Sequence, residues 1–150
     1  MPLRESSRPD RNWHDDTIRE IARLVGSYPN LLSLSRSAGS RRGADIVVRR
    51  ACAGAGRWVN IEIQAQPWRP LPEAAAWAER HFQPGAVATI IVCPEAHLER
   101  ALESIRAEQP RLGESESLFL FHDKQLEQLA ATVFSLLWGR MADEAPPPGT

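Results

Sequence analysis

Arg57-Trp58-Val59-Asn60-Ile61-Glu62-Ile63-Gln64 carries the clearest strand pattern in this chain. Apolar and polar residues alternate along it with the period of a β-strand. Successive side chains point to opposite faces, so Val59, Ile61 and Ile63 share one face and Asn60, Glu62 and Gln64 the other. Just upstream, Ala44-Asp45-Ile46-Val47-Val48-Arg49 is short and β-branched, the composition of a second strand. Between them Ala51-Cys52-Ala53-Gly54-Ala55-Gly56 has the glycines of a hairpin turn. Gly54-Ala55-Gly56 lacks the third glycine and the following helix of a dinucleotide-binding loop, and reads as a turn.

Pairing Arg50 with Arg57 and stepping outward along both strands sets Asp45 opposite Glu62, although a loop of this length permits other registers. Directly opposed residues bring their Cβ atoms to within about 4.5–5.5 Å. Two carboxylates at that separation repel each other. A divalent cation between them reverses the sign of the interaction, and oxygen ligands are what magnesium prefers. A hairpin whose polar face is merely solvated also alternates in this way.

Outward from the hairpin, the pattern predicts helices and further strands. On the N-terminal side, Asp15 or Asp16 reads as a helix cap, followed by Ile18, Ile21, Ala22 and Val25 at helical spacing and a stop at Gly26. Leu31-Leu32-Ser33-Leu34 reads as a short helical turn, and residues 35–43 as a Ser/Gly/Arg-rich loop. On the C-terminal side, Pro72 opens a helix to about Phe82. Ala86 to Cys93 is a continuous apolar run suited to a strand covered on both faces. Pro94 opens a helix bearing Leu98, Leu102 and Ile105, and Leu118 to Phe121 is a short strand. Asp123 caps a last helix whose Leu126, Leu129, Val133, Leu136 and Leu137 form an apolar stripe. The expected architecture is α/β, a restriction-endonuclease-like mixed sheet flanked by helices. One domain is expected over residues 14–140, between a flexible tail at 1–13 and a disordered Pro-rich tail at 141–150.

With 150 residues the chain has room for a single core. No apolar run approaches the length of a membrane span, and Met1 to Arg8 lacks the apolar stretch of a secretory signal, so a cytoplasmic location is expected. Cys52 and Cys93 form no Cys-x-x-Cys pair and the histidines are scattered, which argues against structural zinc. Cys93 reads as a small core residue. The net charge is -1, yet Arg36, Arg41, Arg42, Arg49, Arg50 and Arg57 face a single acid, Asp45, over residues 36–57. Such a local basic stripe can hold phosphates on a nearly neutral protein. The same arginines singly read as solvated surface, and the tryptophans as packing residues. His14-Asp15-Asp16 reads as a helix start before a metal cluster.

A lone Asp in one hairpin strand and Glu-x-Gln in the next resembles the PD-(D/E)XK nuclease superfamily. The likeness is nearest to branches with an Ile-Glu-Ile-Gln or Val-Glu-Val-Gln strand. These include Rpn-type transposase-associated nucleases and short actinobacterial proteins whose apolar strand ends as Ile90-Ile91-Val92-Cys93-Pro94 does here. The similarity covers roughly residues 14 to 122. It implies a nuclease hydrolysing phosphodiester bonds, with DNA as the expected substrate and Mg²⁺ (or Mn²⁺) as cofactor. By that resemblance Asp45 and Glu62 hold the metal, Gln64 takes the place usual for Lys, and Glu20 on the first helix is the candidate for a further acidic residue. Arg41, Arg42, Arg49 and Arg50 would contact the nucleic-acid backbone. A glutamine orients water but carries no charge, and the single lysine, Lys124, lies in a different element. The alternative is therefore a catalytically inactive binding or assembly module of the same fold. A homodimer formed through the 123–140 helix is a third reading.

Overall fold

A computed structural model describes residues 9–35, 45–51, 57–64, 76, 78–80, 82, 85–113 and 115–144. Arg41 and Arg42, Cys52 and most of the 72–82 helix fall outside these residues. The described elements are α1 (Pro9–Gly26), β1 (Leu31–Ser35), β2 (Ile46–Arg50), β3 (Val59–Ile63) and β4 (Ala88–Cys93). A 3-10 turn (Glu95–His97) follows, then α2 (Leu98–Glu108), α3 (Pro110–Gly113), β5 (Leu118–His122) and α4 (Leu126–Glu144).

The five strands lie side by side in chain order. β1, β2 and β3 run antiparallel, and β4 and β5 continue parallel to β3. Parallel neighbours require a crossover, usually helical. Residues 76 and 78–80 are helical between β3 and β4, and α2 lies between β4 and β5. The expected mixed sheet flanked by helices is present in this coarse sense.

The alternation read from the sequence sorts the two faces. Ile46, Val48, Val59, Ile61, Ile63, Ala88, Ile90 and Val92 face Ile21 and Val25 of α1 and Leu129, Val133 and Leu137 of α4. Each buried Val, Ile or Leu among them contributes on the order of 1.5–3 kcal/mol. On the opposite face Ile91 and Cys93 pack with Ala78 and with Ala101 and Ile105 of α2. β4 is thus covered on both sides along its whole length, as its continuous apolar run suggests. Cys93 is a buried free thiol, its pKa pushed up to about 12 mainly by burial, and is inert. Leu129, Val133 and Leu137 of the α4 stripe are fully buried in the chain's own core, and Leu126 and Leu136 pack partly buried against it.

Three local expectations are corrected. Leu31–Ser35 is a strand, not a helical turn. Asn30 takes a left-handed conformation (φ 63°), which asparagine tolerates, and its carbonyl accepts the Ala51 amide at 2.8 Å. That turns the chain back along β2. α1 begins at Pro9, not at Asp15 or Asp16, since proline fits a first helical turn. Asp123 does not cap α4. Its Oδ2 accepts the indole N–H of Trp13 at 3.0 Å and its Oδ1 the Glu95 amide at 3.1 Å. α4 itself runs to Glu144.

Candidate functional site

β3 is the middle strand, and its carboxyl end carries Glu62, Ile63 and Gln64. The antiparallel register pairs Ile46 with Ile61, Val47 with Asn60 and Val48 with Val59. Asp45 directly precedes β2, and its charge acts on Glu62, the neighbourhood that one further step of this register implies. The site therefore lies at the carboxyl ends of the parallel strands, where open α/β sheets characteristically bind ligands.

Asp45 has a second role at that position. Its Oδ2 accepts the Ile63 backbone amide at 2.7 Å. Amides alternate in direction along a strand, and the next one, Gln64, donates to Val92 of β4 at 2.8 Å. The Ile63 amide thus points to the β2 side, beyond the Ile46 end of β2, and is received there by the Asp45 carboxylate. This fixes the carboxylate against the backbone between Glu62 and Gln64.

Glu62 is only 6 % exposed. Its pKa rises from an ordinary 4.5 to about 8, first because burial penalises the charged form and second because the Asp45 charge stands nearby. Both influences favour a protonated Glu62 near neutral pH. The polar face also includes buried Asn60 and half-buried Gln64.

Sequence reasoning weighed His14 with Asp15 and Asp16 as a metal cluster, set it aside as a helix start, and did not connect it to Asp45. Its Nε2 stands 3.6 Å from Asp45 Oδ2, and its Nδ1 3.6 Å from Asp15 Oδ1. A signal was present. His14, Ile18, Ile21 and Val25 follow one helical stripe, but the stripe shows only if α1 starts before Asp15. The Trp13–Asp123 hydrogen bond ties the start of α1 to the end of β5, so this turn spans the sheet end from Asp123 to Asp45.

No family model matches this chain, and no curated protein or solved structure matches it significantly. The site therefore rests on its own geometry.

Glu20 does not join Asp45. It lies six residues after His14, about 9 Å farther along the helix, and binds Arg23 (Oε1 to Nε 3.0 Å) on the outer surface. That partner lowers its pKa. Glu20 also borders a groove with Leu24 of α1 and residues 123–128. Arg49 and Arg50 sit at the other end of β2, roughly 13–17 Å from Asp45 at the usual strand rise. Arg50 stacks 3.8 Å over the Trp138 ring, and Trp138 continues through Phe134 (6.0 Å) to Tyr28 (5.0 Å from Phe134).

Among the described residues no group of three or more His, Cys, Asp or Glu side chains could hold a metal ion. Magnesium demands less, since it is commonly held through one or two carboxylates with water completing its shell. The donor set of Asp45 and Glu62 suits such an ion. Glu62 in particular is a buried acid whose ionised form a cation would stabilise.

Proposed function

We propose that this protein is a divalent-metal-dependent nuclease of the PD-(D/E)XK type, with DNA as substrate and Asp45 and Glu62 as the metal-holding pair. The observation that carries the reading is the buried Glu62 carboxyl set against Asp45 at the carboxyl end of the central strand. A structural role for Glu62 gives no reason to bury one acid beside another. A cation-binding role does.

A Mg²⁺ or Mn²⁺ ion, when bound, would polarise the scissile phosphate and lower the pKa of a bound water. The chain's own contributions are positional. The Ile63 amide holds Asp45 in place. Gln64, next on the polar face of β3, can orient a water through its side-chain amide. His14 borders Asp45 from α1. Arg41, Arg42 and Arg49 remain the candidates for gripping the backbone, while Arg50 stacks on Trp138.

The test is cleavage of supercoiled DNA by the purified chain with Mg²⁺ or Mn²⁺. Nicking that EDTA stops and that Asp45→Ala and Glu62→Ala each abolish supports the reading. Cleavage that survives both substitutions contradicts it.

One observation favours a second reading. Asp45 already satisfies a main-chain amide, and Gln64 brings no charge to stabilise a developing oxyanion. In a non-catalytic binding module of the same fold, Asp45 would serve the hairpin alone. Nucleic-acid binding indifferent to EDTA, with no cleavage, would identify that case.

A further inference from the structure

β1 is an edge strand, and among the described residues it pairs with β2 alone. It carries the exposed large apolar side chains, Leu32 (40 % exposed) and Leu34 (49 %). Their register partners are Arg49 and Val47, so both leucines stand on the sheet face opposite α1 and α4. An unpaired edge bearing exposed leucines is a template for another strand.

The geometry says which strand fits. The Ala51 amide donates to the Asn30 carbonyl, which makes Asn30 and Ala51 a hydrogen-bonded pair of the β1–β2 ladder. Such pairs alternate along an antiparallel ladder. Residues 30, 32 and 34 therefore turn their main-chain groups toward β2, and Leu31, Ser33 and Ser35 turn theirs outward. Consider β1 meeting a second copy of itself antiparallel, with Ser33 on the two-fold axis. Ser33 then faces Ser33 and Leu31 faces Ser35, all at positions whose main-chain groups point across the new seam. Leu32 falls opposite Leu34 of the other copy, and Leu34 opposite Leu32, at non-hydrogen-bonded positions. These are the positions where side chains approach most closely, with Cα atoms about 4.5 Å apart. Centring on Leu32 or Leu34 would set only one leucine against its own copy and leave the other without a leucine partner. Centring on Leu31 or Ser35 would break the match of leucine to leucine.

We propose that β1 is a homodimer interface, in which two chains pair through Leu31–Ser35 about Ser33 and join their sheets edge to edge. The occupant is a second copy because the strand complements itself in both hydrogen bonding and apolar pattern. The contact is isologous, as a closed two-fold dimer requires, and small enough for the dimer to exchange with monomer.

The experiment is sedimentation analysis of the full chain over a concentration series up to roughly 0.1 mM, where a small specific interface is already populated. The expected species has twice the mass of one chain. Leu34→Lys, and separately Ser33→Pro, which removes the central outward N–H, should each weaken dimerisation about tenfold or more. Their circular dichroism should match that of the parent. Leu34→Lys mixed with Leu32→Glu should recover the dimer, because those two positions face each other across the axis. A parent chain that stays monomeric throughout the series overturns the proposal. So does a dimer that a folded Leu34→Lys chain retains with unchanged affinity. Should one variant fail to fold, the other and the mixed pair decide.

Discussion

The Asp45 carboxylate receives the Ile63 amide at 2.7 Å, so one side chain both closes the hairpin ladder and stands beside Glu62. These two roles separate by substitution. Asp45→Asn keeps an oxygen for the Ile63 amide and removes the charge. Asp45→Ala removes both and leaves the amide without its partner, a loss of about 1–3 kcal/mol. Urea unfolding should therefore place Asp45→Asn near the parent or above it and Asp45→Ala clearly below. Equal stability of the two variants would show that the hydrogen bond contributes nothing.

Glu62 makes stability depend on pH in a direction unusual for a carboxylate. Its pKa in the folded chain is raised from 4.5 to about 8, so between those values the folded state binds the proton more tightly than the unfolded state. Its contribution is complete below the unfolded pKa, declines as pH rises, and is lost once pH passes the folded pKa. In EDTA the parent should lose stability from about pH 5 to about pH 8, by on the order of a few kcal/mol. Glu62→Gln should flatten that slope and be the more stable protein at the alkaline end. Denaturation curves at both pH values check this, and parallel slopes for the two proteins would refute it.

Arg50 packs against α4. Its guanidinium covers Trp138, an interaction that contributes about 0.5–2 kcal/mol. Arg50→Ala should lower stability by that amount and shift Trp138 fluorescence while leaving any metal-dependent activity of the folded protein intact. Loss of activity at unchanged stability would return Arg50 to the list of phosphate contacts.

The hairpin was legible because its information is local. Strict alternation from Val59 to Gln64 fixes the faces, and the observed pairs Ile46–Ile61 and Val48–Val59 are those obtained by stepping out from Arg50 and Arg57. β4 was legible for the same reason, its apolar run having one plausible environment. β1 was not, because five residues with three leucines suit a turn of helix as well as a strand. Only pairing with β2 decides between them. The start of α1 was hidden by Asp15-Asp16, a strong cap signal that lies inside a helix opened by Pro9, and with it the approach of His14 to Asp45. Glu20 shows the limit of placing a residue by its element alone, since helix phase turns it toward Arg23 and along the helix away from Asp45. The function of Asp123, joining Trp13 to Glu95, depends on contacts too distant in sequence for spacing to reveal.

The most direct test of a shared cation between Asp45 and Glu62 is calorimetric titration of Mg²⁺ or Mn²⁺ at pH 7 in buffers of different ionisation enthalpy. A buried Glu62 that is protonated before binding must release its proton to the buffer when the ion binds. The account predicts saturable binding with release of nearly one proton per ion, and loss of that release in Glu62→Gln. Absence of binding, or binding with no proton released, would contradict it.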